Sequence, residues 1–172
     1  MRGRARELAV MGIMLAVMVC LTALEHMIPG LPFAPPGVKL GLSNIVTMYV
    51  LFFIGGRRAL VLAGLKSGFV FMTRGVSAGI LSLCGGIAAV LIILLLSSAY
   101  KKASYLLLSV AGAITHNLGQ LAAAQAMLGA NILGFYWPVL LASGVVMGSV
   151  TGTVLQAVMP YIKKLLGNRG IR

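Results

Sequence analysis

The chain has 172 residues, of which 60% are hydrophobic and 9% charged, with fourteen Lys and Arg against two acids and a formal net charge of +12. A soluble domain carries roughly 25% charged residues to cover its surface, so this composition excludes a water-facing globule and leaves no stretch for a second, soluble domain. The basic residues fall in the gaps between apolar runs rather than along one polar face, a pattern that membrane insertion selects and that excludes nucleic acid as the partner.

The expected fold is all-α: a polytopic membrane protein with six transmembrane helices, forming a single integral membrane domain over residues 1–172. The start, MRGRAR, followed by an apolar run, has the look of a signal peptide. That run is about seventeen residues, longer than the apolar region of a signal, so 8–24 is read as the first span. After Glu25 and His26 comes 27–39, with Pro29, Pro32, Pro35 and Pro36. Four prolines so close together forbid a helix. Because the segment is also apolar (Ile28, Leu31, Phe33, Val38), it is expected to fold back on the protein as an outer lid.

The second span is 40–56, closed by Arg57 and Arg58. The third, 59–73, is interrupted by Lys66 and ends at Arg74. The fourth, 76–100, stops at Lys101 and Lys102. The fifth, 104–128, contains His116, Asn117 and Gln120, and the sixth runs 138–162, where Pro160 is expected to kink or end it. Six spans put both termini on one side. That side collects eleven basic residues, whereas Lys39 and Arg74 lie at the opposite ends and Lys66 lies within a span. The positive-inside rule then makes both termini cytoplasmic, in the cell membrane.

Small residues recur four apart in three spans: Gly12, Ala16 and Cys20 in the first, Gly64 and Gly68 in the third, and Gly144, Gly148 and Gly152 in the sixth. Such faces let helix backbones approach closely in lipid. Internal packing is expected for the third and sixth spans. The smooth face of the first is assigned to docking another protein.

Chemistry is sparse. The chain has no Asp, and its acids are Glu7 and Glu25. Paired carboxylates for Mg²⁺ or glycosidic work are therefore lacking, as is a GxxxxGK[ST] loop for ATP. Cys20 and Cys84 stand alone in apolar runs, which gives neither a disulfide framework nor a metal site. The expectation is a non-enzyme with no cofactor of its own.

What remains is polar groups at membrane depth. Lys66 is eight residues past Arg58, about 12 Å along a helix and hence near mid-membrane. A charge there faces a cavity, a partner or a pathway. Arg74 lies within roughly 80° of Lys66 on the helical wheel, so both are expected to face one cavity. Lys39 and Asn44 open the second span from outside, and His116, Asn117 and Gln120 form a polar stripe on the fifth. These seven are the candidate substrate-binding residues. Glu25 and His26 read as an outer ion pair with Arg74 or Lys39, or as a latch for the lid.

Two stretches, FAPPGVKLGLSNI at 33–45 and SVAGAITHNLGQ at 109–120, resemble the Gx transporter family. That family is also labelled heptaprenyl diphosphate synthase component I, and it is similar to the substrate-binding S components of energy-coupling factor transporters. The resemblance implies six helices, a pocket opening outward and a first loop acting as lid, here 27–39. It also implies a small-residue face on the first helix, here Gly12 and Ala16, docked on a transmembrane coupling subunit, with ATP used by partner ATPase subunits. The enzyme label fits poorly, because prenyl diphosphate synthesis needs aspartate-rich Mg²⁺ sites.

The expected function is thus uptake of a small anionic molecule, such as a vitamin, a flavin or a quinone or isoprenoid precursor. The alternatives are an accessory membrane subunit of a prenyl diphosphate synthesis system and a stand-alone secondary transporter.

Overall fold

The computed structural model describes residues 2–27, 41–100, 102–129 and 133–166. Six helices and no strand make up these residues: α1 (Arg2–Met27), α2 (Leu42–Phe53), α3 (Gly56–Arg74), α4 (Val76–Ala99), α5 (Tyr105–Leu128) and α6 (Leu133–Leu166). The lid expected over 27–39 lies, from residue 28 onward, outside the described residues, and Lys39 with it.

Each apolar run folds as a helix, and the ends differ for local reasons. α1 begins six residues before its apolar run, because arginine is a good helix former and nothing in MRGRAR breaks the helix. Arg57 and Arg58 do not close α2; they belong to the first turn of α3. The break lies at Gly55, whose φ of 123° a side chain would oppose, and the same device at Gly75 (φ 87°) turns α3 into α4 with one residue between them. Pro138 and Pro160 both lie inside α6. Each removes one i→i−4 hydrogen bond, yet the helix continues through both.

Four helical stretches are long and apolar enough to cross a membrane: Glu7–Glu25, Val76–Ala99, Tyr105–Leu128 and Tyr136–Tyr161. α2 is apolar but has 12 residues, about 18 Å of helix against a hydrocarbon core of about 30 Å. α3 has the length but carries Arg57, Arg58, Lys66 and Arg74. Large apolar side chains point outward on several helices, among them Met72, Leu95 and Val146. In water such surfaces are a liability; in lipid they are the solvent-facing side. The chain is a multi-pass membrane protein.

Consecutive helices pack antiparallel, most intimately α5 on α6, then α4 on α5 and α3 on α4, while α2 is wedged among α1, α3, α4 and α6. The α5–α6 seam follows the sixth-span glycines. A Cβ on Gly144, Gly148 or Gly152 would come within 3.0, 2.6 and 2.9 Å of the Cα atoms of Ile114, Val110 and Leu106. These residues fall back along α5 in steps of four, so backbone meets backbone over two turns.

The third-span glycines behave differently, contrary to the expectation of internal packing. A Cβ on Gly64 or Gly68 meets nothing within 4 Å. The buried face of α3 is Ala59, Leu62, Ala63, Ser67 and Val70, and the glycines lie one residue, about 100°, further round.

α1 is the loosest element. Of its membrane-length stretch 11% is buried, against 28–33% for the other three. Both acids of the chain tie it down: Glu7 pairs with Arg58 of α3, and Glu25 accepts the Leu42 N–H of α2. The apolar core (Met18, Val50, Leu51, Leu62, Val90, Leu155, Met159) fills the half of the bundle nearer Arg57 and the α4–α5 connection. The other half is hollow.

Candidate functional site

The hollow half is a cavity of about 1010 Å³ of atom-free space, its open mouth included, and all six helices line it. Its wall mixes apolar side chains with convergent hydroxyls, amides, Glu25 and Lys66.

α2 supplies one wall. Gly41, at φ 73°, starts the helix without a side-chain cap. A Cβ there would stand 3.3 Å from Asn44 Nδ2 and 3.9 Å from Thr151 Oγ1. The Leu42 N–H is taken by Glu25 Oε1 at 3.0 Å, and Ser43 Oγ accepts from Lys66 Nζ at 2.7 Å. Ser43 is 1% exposed, so the ammonium reaches a buried hydroxyl from the neighbouring helix. Charge-assisted bonds of this kind are stronger than neutral ones.

α5 supplies the opposite wall. His116 and Gln120, one turn apart, meet Nε2 to Nε2 at 3.0 Å. Gly85 of α4 makes room for this pair. A Cβ there would lie 2.8 Å from both Gln120 Cγ and the His116 carbonyl oxygen. Asn117 Nδ2 donates to Leu140 O at 2.9 Å and Ser143 Oγ at 3.2 Å. Its two amide hydrogens thereby tie α5 to α6.

Of the seven residues proposed from sequence as substrate-binding, the structure brings Asn44, Lys66, His116, Asn117 and Gln120 to this one cavity. Arg74 does not join them: it is the exposed last residue of α3 and is absent from the cavity wall. The wheel angle from Lys66 held, but eight residues of rise carry Arg74 about 12 Å along the axis, beyond the cavity. Lys39 lies outside the described residues. Gly12, Ala16 and Cys20 face away from the bundle: a Cβ on Gly12 meets nothing within 4 Å, and Ala16 and Cys20 are exposed.

Sequence reasoning missed the hydroxyls. Thr22, Thr47, Ser82, Ser109 and Thr151 all line the cavity. Thr22 and Thr47 bond the carbonyls of Met18 and Ser43 within their own helices, as hydroxyls in apolar helices do wherever they face, so nothing in the sequence singles them out. Glu25, read as an ion-pair or lid residue, is also part of the wall.

No curated protein and no solved structure matches the chain. A family model matches residues 14–158, a stretch holding all five cavity-facing candidates together with Gly85 and Ser109. The chain therefore belongs to the family described as heptaprenyl diphosphate synthase component I.

Proposed function

We propose that this chain is the substrate-binding membrane subunit of an uptake system, similar to the S components of energy-coupling factor transporters. It captures a small, negatively charged molecule outside the cell membrane and delivers it inward when partner ATPase subunits drive the cycle. The observation that carries this reading is the cavity itself, lined from all six helices and holding Lys66 among hydroxyls and amides. Lys66 draws the anionic group, the amides orient the ligand, and Val70, Val90, Ile93 and Met147 hold its apolar body. The packed core between the cavity and the Arg57 end supports alternation between two sides, since a continuous pore would leak. The outward Gly12–Ala16–Cys20 face suits a coupling subunit, because nothing projects from it.

The test has two parts. Small molecules that co-purify with the protein are identified by mass spectrometry, and their binding is measured by calorimetry on wild type and Lys66→Met. The substitution keeps length and removes charge. A hydrogen bond to a charged group contributes about 1.5–3 kcal/mol, so affinity should fall roughly tenfold to a hundredfold. Unchanged affinity removes Lys66 from the site.

The family description favours a second reading, an accessory membrane subunit of prenyl diphosphate synthesis. That reading requires co-purification with a soluble, aspartate-rich partner and no ligand in the cavity.

A further inference from the structure

Resting on the reading of the cavity as a ligand site, we propose that its wall at the start of α2 is a carboxylate subsite. Glu25 of the chain itself fills it in this structure, and a ligand bearing a single carboxylate takes it over.

Three groups converge there. The N-terminus of a helix bears about half a positive charge on its free N–H groups. Among the described residues α2 has no side-chain cap, since its N-cap is Gly41. The Leu42 N–H is met instead by Glu25 Oε1, from 17 residues earlier in the chain. The Lys66 ammonium sits on the very next residue, bonded to Ser43 Oγ. A helix start whose first N–H is held by Glu25, with a cation bonded to the next residue, is a site suited to one carboxylate. Glu25, Ser43 and Lys66 all face the cavity, so an incoming ligand meets the N–H that Glu25 now holds and the ammonium bonded to Ser43.

A separate observation points to the rest of the ligand. Ser109, on the cavity wall and 3% exposed, has an Oγ with no hydrogen-bond partner among the described residues. Buried hydroxyls are satisfied as a rule, so a polar group from outside the protein completes this one. The ligand class is then an apolar molecule with one carboxylate and a further polar group reaching Ser109. A diphosphate fits less well. It brings two or more negative charges, and Lys66 is the one Lys or Arg on the wall among the described residues.

The test uses the full chain in detergent, titrated with benzoate, its neutral analogue benzamide and inorganic diphosphate, with binding read from the unfolding midpoint and from calorimetry. Glu25→Ala removes the internal competitor and should bind benzoate at least tenfold more tightly than wild type. Glu25→Gln keeps an acceptor for Leu42 and should show a smaller gain, and it serves if the alanine variant does not fold. Adding Lys66→Met to either should abolish the gain, benzamide should not respond to Glu25, and diphosphate should bind more weakly than benzoate throughout. Benzoate affinity that is absent, unchanged or lowered in both Glu25 variants overturns the subsite, as does diphosphate binding above benzoate. A co-purified ligand that binds regardless of Glu25 would refute the subsite while keeping the cavity as a binding site. Absence of any co-purified ligand tells instead against the substrate-binding reading.

Discussion

Replacing Gly148 by Ala adds one methyl group at the tightest point of the α5–α6 seam. The new Cβ would stand 2.6 Å from Val110 Cα and 3.1 Å from both Ala113 Cβ and the Ser109 carbonyl oxygen. The first distance is about 0.8 Å short of the 3.4 Å at which ordinary contact begins. The obstacle is backbone, which has no rotamer to change, so the two helices must part by most of that amount. Overpacking in a close-packed interior costs about 1–3 kcal/mol, and a backbone clash belongs at the upper end. Separation also shifts Ser109, and with it the cavity wall. Gly68→Ala is the control, because its Cβ meets nothing within 4 Å. There the gain in helix propensity, about 0.5–1 kcal/mol, is unopposed. Thermal unfolding of the purified protein in detergent, followed by size-exclusion profile, should rank Gly68→Ala at or above wild type and Gly148→Ala well below it. A Gly148→Ala variant as stable as wild type, or a Gly68→Ala variant less stable, would refute the packing derived for these two helices.

Two further outcomes test topology and coupling. With Cys20 and Cys84 replaced, single cysteines at Ala103 and Gly167 should react with impermeant reagents only from the cytoplasm and one at Asn131 only from outside; labelling of residue 167 in intact cells would end the six-span arrangement. Ala16→Leu should abolish transport and co-purification with the coupling and ATPase subunits while leaving ligand binding to the isolated chain nearly intact, because Ala16 is exposed in the monomer; joint loss of binding and folding would place that face inside the bundle.

Composition and the spacing of the apolar runs were enough to read a helical membrane protein with one helix in each of six apolar runs, although α1 and α6 begin well before the apolar stretches that mark them. The reason is that hydropathy acts locally: lipid demands a continuous apolar stretch with every backbone group satisfied inside it. The polar exceptions were legible for the same reason, since Lys66, His116, Asn117 and Gln120 are costly in such stretches and stand out against them.

Which way each of those groups points was settled by packing between helices. Gly64 and Gly68 share their spacing with Gly144 and Gly148, yet one pair faces outward and the other forms a seam. The difference lies in how α3 and α6 are rotated against their neighbours, which no spacing within one helix encodes. Arg74 kept its angle to Lys66 but lies beyond the cavity, because depth along the axis matters as much as angle. Glu25 reads from sequence as an outer ion pair with Arg74 or Lys39 or as a lid latch, and in the structure it accepts the Leu42 N–H, a donor at the start of α2 that only the folded chain brings within reach. Sequence determined which stretches are apolar helices and which polar residues interrupt them; the tertiary structure decided which of those residues share one cavity, because that depends on the relative rotation and depth of six separate helices.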